Sequence, residues 1–285
     1  DAVLFVRRGL DEARAEARVE DVRPMGGFST ITGAAEALGL RSGTLALEMD
    51  TTSAALYERV RRAFSGWQMA DVTPLVLDQR VVKEEGEIAA TRCAAAVADA
   101  GHRALASALE PGREELALAA EVESAMRLAG HEGFQPLRHP EARGGGVLLM
   151  SGSHLTVRGG HGLIVTGAGL SAGSPYGASR RIVEEGDLVV LDIGSVTNGY
   201  TADVSRTYAV GEPSSAQRAL FEAVWRTEEA VLEAIRPGVP VAAVYEAAEA
   251  VVAEGAEPAF APGRLVLPGF VGHGIGLELD EPPVL

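Results

Sequence analysis

The chain has 285 residues, of which 47% are hydrophobic and 23% charged, enough to build one large domain or two ordinary ones around a sizeable core. Its 40 acidic against 25 basic residues give a formal net charge of -15, which repels phosphate and anionic lipid; binding nucleic acid or a membrane surface is disfavoured as a main function. The single cysteine, Cys93, rules out a disulfide framework and a zinc site built on several thiolates. No apolar run reaches the length of about 18 residues that spans a bilayer, and no secretory signal is legible, so the cytoplasm is the expected compartment. The start, Asp1-Ala2-Val3-Leu4-Phe5-Val6, has no Met and is at once strand-like, and reads as a cut end.

Val3–Val6 and Thr44–Leu47 read as strands, and 52–64 reads as a helix with Thr51 or Thr52 as its N-cap. Residues 73–80 read as a connection, with a domain boundary at 79: residues 1–79 form a first, partial α/β domain and 80–285 a second. From Glu84 the texture changes to long Ala-rich helices, and a repeat appears at an offset of 126 residues. Arg92 falls on Arg218, Ala104 on Ala230, Ala108 on Ala234, Pro111-Gly112 on Pro237-Gly238, Glu123 on Glu249 and Phe134 on Phe260. Each copy reads helix, Pro-Gly turn, helix, then an approach to a strand. Shared Ala-rich composition is the competing explanation; the gapless offset favours duplication. The first copy runs on into the strand that holds Asp192. Its counterpart in the second would lie past Leu285, so the second half is expected to lack its final hairpin.

Asp192 interrupts the apolar run Leu188-Val189-Val190-Leu191-Asp192-Ile193, which reads as a strand buried on both faces. A carboxylate there is costly unless it is paired or holds a cation. Asn198-Gly199 is a two-residue hairpin turn, which pairs Thr197 with Tyr200 and Asp192 with Ser205. Asp203 then shares a face with Asp192, as a diagonal neighbour with Cα atoms about 7–8 Å apart. Two carboxylates aimed at one point need a proton or a cation between them. Taken singly, each reads as an ordinary structural or surface residue; as a pair they point to metal.

His273, in Gly272-His273-Gly274-Ile275-Gly276, is framed by glycines that allow close backbone approach, and neutral imidazole suits a transition metal. The long Gly-rich stretch 144–177 carries His154 and His161; His161 is a candidate substrate contact, although an ordinary loop histidine is the plainer reading. His102, His131 and His139 read as ordinary. No phosphate-loop pattern occurs, and Lys83 is the sole lysine.

The Asp192 strand, the run Gly199-Tyr200-Thr201-Ala202-Asp203-Val204-Ser205-Arg206-Thr207 and the Gly272–Leu277 stretch together resemble the pita-bread metallohydrolases of metallopeptidase family M24: methionine aminopeptidases, Xaa-Pro aminopeptidases, prolidases and creatinase. Arg80-Val81-Val82-Lys83 through Glu87-Ile88 is similar to that family's approach to its catalytic domain, and the preceding region resembles part of the amino-terminal domain of the creatinase branch. The resemblance implies a duplicated α/β (α+β) catalytic domain and, by expectation, a homodimer. It implies two divalent ions (Mn, Co, Zn or Fe) held by two Asp, one His and two Glu, with a water bridging them. Asp192, Asp203 and His273 match three ligands; both Glu would lie beyond Leu285, and Glu254 and Glu278 are not substitutes. It implies, further, two substrate-contacting histidines. Asp280 stands where one is expected, seven residues after His273, and Tyr176, in Pro175-Tyr176-Gly177, stands near the place of the other, one residue closer to Asp192. Tyr176 can donate a hydrogen bond but carry no positive charge, and an ionised Asp280 can only accept. The leading reading is a metal-dependent hydrolase of the Xaa-Pro aminopeptidase or dipeptidase type, acting on a peptide or small amide. A creatinase-like C–N hydrolase or lyase is the second, and a pita-bread binding module that has lost catalysis the third.

Overall fold

The computed structural model describes residues 2–138, 147–158, 166–254 and 267–285. The chain divides into two compact units, 1–77 and 78–285. Among the described residues, no helix is long and apolar enough to cross a membrane.

The first unit alternates strand and helix: β1 (Val3–Val6), α1 (Leu10–Glu16), β2 (Asp21–Pro24), α2 (Phe28–Ala37), β3 (Thr44–Leu47), α3 (Ala54–Ala63), β4 (Gln68–Asp71) and α4 (Thr73–Val81), the last running across the division. β1 pairs with β2 and β3 with β4, both parallel. The cap of α3 is Ser53, whose hydroxyl accepts from the Leu56 N–H at 3.3 Å, so the expected Thr51 or Thr52 cap is displaced by one or two residues. Residues 73–80 are helical and not the connection the sequence suggested. Asp71 accepts from the Thr73 N–H at 2.9 Å, the Thr73 hydroxyl bonds Asp50, and Pro74 follows in the first turn, where its missing N–H costs nothing.

The second unit begins with α5 (Glu85–Ala108) and α6 (Glu115–Leu128). They cover one face of an antiparallel sheet in the order β5 (Leu148–Ser151), β6 (Leu188–Thr197), β7 (Tyr200–Ala209). Leu105, Leu118 and Val122 from the helices meet Leu149, Val189, Leu191 and Ile193 from the sheet, all fully or almost fully buried. The opposite face of β6 carries Val190 and Asp192, which are only half-buried. The expectation of a strand buried on both faces is therefore corrected: the helix layer covers one face, and the carboxylate stands on the other.

The repeat is visible in the elements. After β7 come α7 (Ser215–Ala234) and α8 (Val241–Glu254), whose ends lie 126 residues beyond those of α5 and α6. Gly112 and Gly238, in the two Pro-Gly turns, have nearly the same left-handed φ, 89° and 87°. The packing differs. Ala98 on α5 is fully buried, whereas Val224, its counterpart on α7, is 54% exposed, with Phe221, Trp225 and Leu232 also exposed. The chain closes with the short pair β8 (His273–Gly274) and β9 (Glu281–Val284).

A buried carboxylate fastens β5 in place. Glu115, fully buried at the start of α6, accepts from the N–H and hydroxyl of Ser151 (2.8 and 2.7 Å) and of Ser179 (3.0 and 2.6 Å), with His154 Nδ1 at 3.3 Å. Its lone pairs are so fully used that burial is tolerable.

Close approach of α5 to the sheet rests on Gly101. A Cβ there would lie 2.8 Å from Ile193 Cδ1 and 2.9 Å from Met126 Cγ. Gly101→Ala is expected to destabilise the protein by about 1–3 kcal/mol through overpacking, despite Ala's better helix propensity, as a lowered midpoint in thermal or urea unfolding.

Candidate metal centre

The β6–β7 register is set by its turn. Asn198 and Gly199 both have positive φ (52° and 75°), the conformation of a hairpin turn whose twist matches the strands. Thr197 therefore pairs with Tyr200, Asp192 with Ser205 and Gly194 with Asp203, as the sequence predicts. The Ser205 hydroxyl donates to Asp192 Oδ1 at 2.8 Å. Asp203 is pushed up to about 7, first by burial, then by the charge of Asp192 and a hydrogen bond to it; His273 acts in the opposite sense. The two carboxyl groups stand side by side on this face, sharing a hydrogen bond.

His273 approaches from β8. Its Nδ1 lies 3.0 Å from the Gly274 carbonyl oxygen, which accepts when Nδ1 carries the proton and leaves Nε2 as the ligand nitrogen. Nε2 faces Asp203 Oδ2 at 3.6 Å and Asp280 Oδ1 at 3.1 Å. One donor atom each from Asp203, His273 and Asp280 lie within 4.8 Å of one another. The glycine frame has a steric cause: a Cβ on Gly274 would sit 2.5 Å from the Pro282 carbonyl oxygen, and one on Gly276 would sit 2.6 Å from the Glu281 carboxylate.

Two sets of contacts fix this loop, the first to the hairpin and the second to basic residues elsewhere in the unit. The Thr201 N–H donates to the Gly276 carbonyl at 2.7 Å, and the Thr201 hydroxyl lies 3.0 Å from the carbonyls of Gly276 and Glu278. Glu281, almost fully buried, pairs with Arg80 and with Lys83 (3.1 Å); Glu278 pairs with Arg80 (3.0 Å) and Arg138 (3.5 Å). Burial raises the Glu281 carboxyl, but its bonds to Arg80, the Glu278 N–H and Lys83 outweigh it, and the net direction is down. Sequence reasoning did not single out this network. Its signals were faint: a sole lysine, and an acidic residue before Pro282-Pro283 in an otherwise tight turn.

Of the three expected ligands, Asp203 and His273 are brought together, with Asp280 beside them; Asp192 adjoins Asp203 but is outside this group of three. Tyr176 lies half-buried on the segment leading to Ser179, where the Gly177 N–H donates to the Thr166 carbonyl at 2.7 Å; its hydroxyl makes no hydrogen bond to Asp203, His273 or Asp280. His161 lies outside the described residues. His102 and His131 are structural, bonded to Val204 and Tyr208 and to the Val196 N–H respectively. Asp203 and His273 line a cleft of about 760 Å³ whose walls include Val231, Leu267, Val271 and Leu285.

The donor set fits a divalent cation. Carboxylate and imidazole suit Mn, Co, Zn or Fe, and two carboxylates with one imidazole nitrogen aimed at a common point are relieved by positive charge.

The model of metallopeptidase family M24 matches residues 89–285, and that of the creatinase/prolidase N-terminal domain matches 1–82. The chain is 34% identical over 208 residues to a protein named probable dipeptidase PepE of Mycobacterium tuberculosis, covering 72% of this chain and 47% of that one. It is 27% identical over 241 residues to the Xaa-Pro dipeptidase of Pyrococcus furiosus, covering 84% and 60%. The chain thus spans about half to three-fifths of these relatives' length. Among solved structures, the X-Pro aminopeptidase of Thermotoga maritima superposes with a TM-score of 0.78 at 25% identity, over 99% of this chain and 71% of that one. The prolidase of Pyrococcus furiosus, at 24% identity and a TM-score of 0.74, shares the fold.

The raised Asp203 carboxyl fixes a sign. Without a cation, the folded state holds a proton there between the ordinary value of 3.8 and about 7, which the unfolded chain has already released. This group therefore stabilises the cation-free protein as pH falls from above 7, and the contribution is lost as pH rises through it. A divalent ion displaces that proton. Calorimetric Mn²⁺ titrations at pH 6 in buffers of different ionisation enthalpy are expected to show proton release that vanishes towards pH 8, with affinity rising over the same range. With this carboxylate–imidazole cluster in place and the family match covering 89–285, the chain belongs to metallopeptidase family M24.

Proposed function

We propose that the protein is a metal-dependent peptidase of the Xaa-Pro aminopeptidase or dipeptidase type, cleaving a peptide or small amide bond with two divalent ions bound. In this reading residues 1–79 form an amino-terminal domain, and 80–285 carry Asp192, Asp203 and His273 as metal-holding residues. The observation that carries it is the convergence of Asp203, pushed up by burial and by the charge of Asp192, with the Nε2 of His273 in one cleft.

When bound, the ions would activate a water as nucleophile at neutral pH and polarise the scissile carbonyl. The chain's own residues do the rest. Asp203 gives up its proton as the cation enters. Ser205 orients the Asp192 carboxylate through Oδ1, and the Gly274 carbonyl holds the His273 ring in the tautomer that exposes Nε2. The apolar wall of the cleft receives an uncharged side chain and excludes water beside the reacting bond.

A second reading has its own support. Asp280 lies against His273 where the resemblance implies a substrate-contacting histidine, and Tyr176 stands near the place of the other. Neither supplies an imidazolium, which favours a sibling chemistry such as a creatinase-like C–N hydrolase or a lyase. A binding module without metal is disfavoured, because above pH 7, once Asp203 has lost its proton, it would leave the crowded carboxylates uncompensated.

The test is metal content and cleavage of Xaa-Pro dipeptides by the complete natural chain, with Mn²⁺ or Co²⁺ added. The expected outcome is metal-dependent cleavage that falls about 100-fold or more in Asp203→Ala, exceeding what removal of an outer-shell partner costs. Metal without Xaa-Pro cleavage selects the sibling chemistry; a protein that takes up no metal refutes both.

A further inference from the structure

Asp280 has a different environment from the acidic residues beside it. Glu278 and Glu281 take up Arg80, Lys83 and Arg138 between them, and no Lys or Arg among the described residues pairs with Asp280. Its one neighbour within ion-pair distance is the Nε2 of His273, at 3.1 Å, the same nitrogen that faces Asp203. When Nδ1 carries the proton and donates it to the Gly274 carbonyl, that nitrogen presents a lone pair to two carboxyl groups. Two carboxyl groups and one imidazole nitrogen converge, and the 3.1 and 3.6 Å spacings of Nε2 from their oxygens are ones that ligands each about 2.0–2.2 Å from one ion can adopt.

The loop is built to hold Asp280 there. Glu281 is anchored by Arg80 and Lys83, the Glu278 N–H donates to Glu281 at 3.0 Å, and the Leu279 N–H donates to the Pro136 carbonyl at 3.0 Å. The backbone on both sides of Asp280 is thus fixed while its side chain, 65% exposed, is held against His273. A carboxylate at this place cannot donate to a substrate oxygen or stabilise developing negative charge as an imidazolium would. What it does well is ligate a hard divalent cation.

We propose that Asp280 is a further metal-holding residue, which joins Asp203 and His273 around one ion and makes the centre of this chain more anionic and more selective for Mn²⁺ over Zn²⁺ than an imidazole at the same place would. This inference rests on the metal-dependent reading above. It assigns residue 280 to the ion and not to the substrate.

The test uses the complete natural chain, stripped of metal and titrated with Mn²⁺ and separately with Zn²⁺, by calorimetry and by the electron paramagnetic resonance signal of unbound Mn²⁺. Thermal unfolding of each metal-free variant checks that the fold is intact. Asp280→Asn is expected to weaken Mn²⁺ binding at one site by about tenfold or more, the loss that follows even when a group behind a ligand is removed. Asp280→His is expected to keep Zn²⁺ affinity while losing Mn²⁺ affinity, a reversal that a purely structural role would not produce. Superimposable Mn²⁺ titrations of wild type and Asp280→Asn would overturn the proposal and return residue 280 to the substrate. If the wild type itself binds neither ion, the metal-dependent reading falls as well; if it binds both normally while the variants match it, only the role of Asp280 falls.

Discussion

Two carboxyl groups that cannot comfortably be charged together are the constraint around which the second unit is organised. The Asn198-Gly199 turn sets the register, the register puts Asp192 and Asp203 on one face, and burial makes their mutual repulsion expensive. An isolated hairpin would twist or slip to separate them. Here it cannot, because the opposite face of β6 is locked into the helix layer through Leu191 and Ile193, and Gly101 lets α5 come close enough to keep them there. The core therefore holds the carboxylates together, and a cation or proton is what makes the arrangement affordable.

Much of this was legible in the sequence, because it depends on short-range rules. A two-residue turn fixes its own register, a period of two puts Asp192 and Asp203 on one face, and a Pro-Gly turn repeated 126 residues later marks two related helical pairs. The errors were of two kinds. Local competition moved the α3 cap to Ser53 and made a helix of 73–80, where Asp71 and Asp50 supply bonds to Thr73 that no periodicity announces. Layering was the other: an apolar run identifies a strand but does not say which face its helices cover, so Asp192 was read as fully enclosed when it is half-open.

What the sequence hid were the long-range charge pairs. Arg80 and Glu281 are 201 positions apart, and nothing in the vicinity of either points to the other. Asp280 was visible as a departure from the expected histidine, but its role could not be read without knowing that its acidic neighbours use up the local cations. In a chain with a formal net charge of -15, where a positive group sits carries more information than where negative ones do.

Glu115 extends this logic to another part of the unit. Both Ser151, at the end of β5, and Ser179, ahead of β6, hang on the two oxygens of one buried carboxylate. The 27 residues between them are thereby closed at the base by a fixed knot, to which His154 from within the segment adds a contact. Lengthening such a closed segment adds only a slowly growing entropic cost, about 0.6 kcal/mol for each doubling. Length is therefore the cheap variable in this segment and identity is not: His154 meets Glu115, Ala178 packs in the core, and a Cβ on Gly169 would collide with the Ser174 carbonyl oxygen.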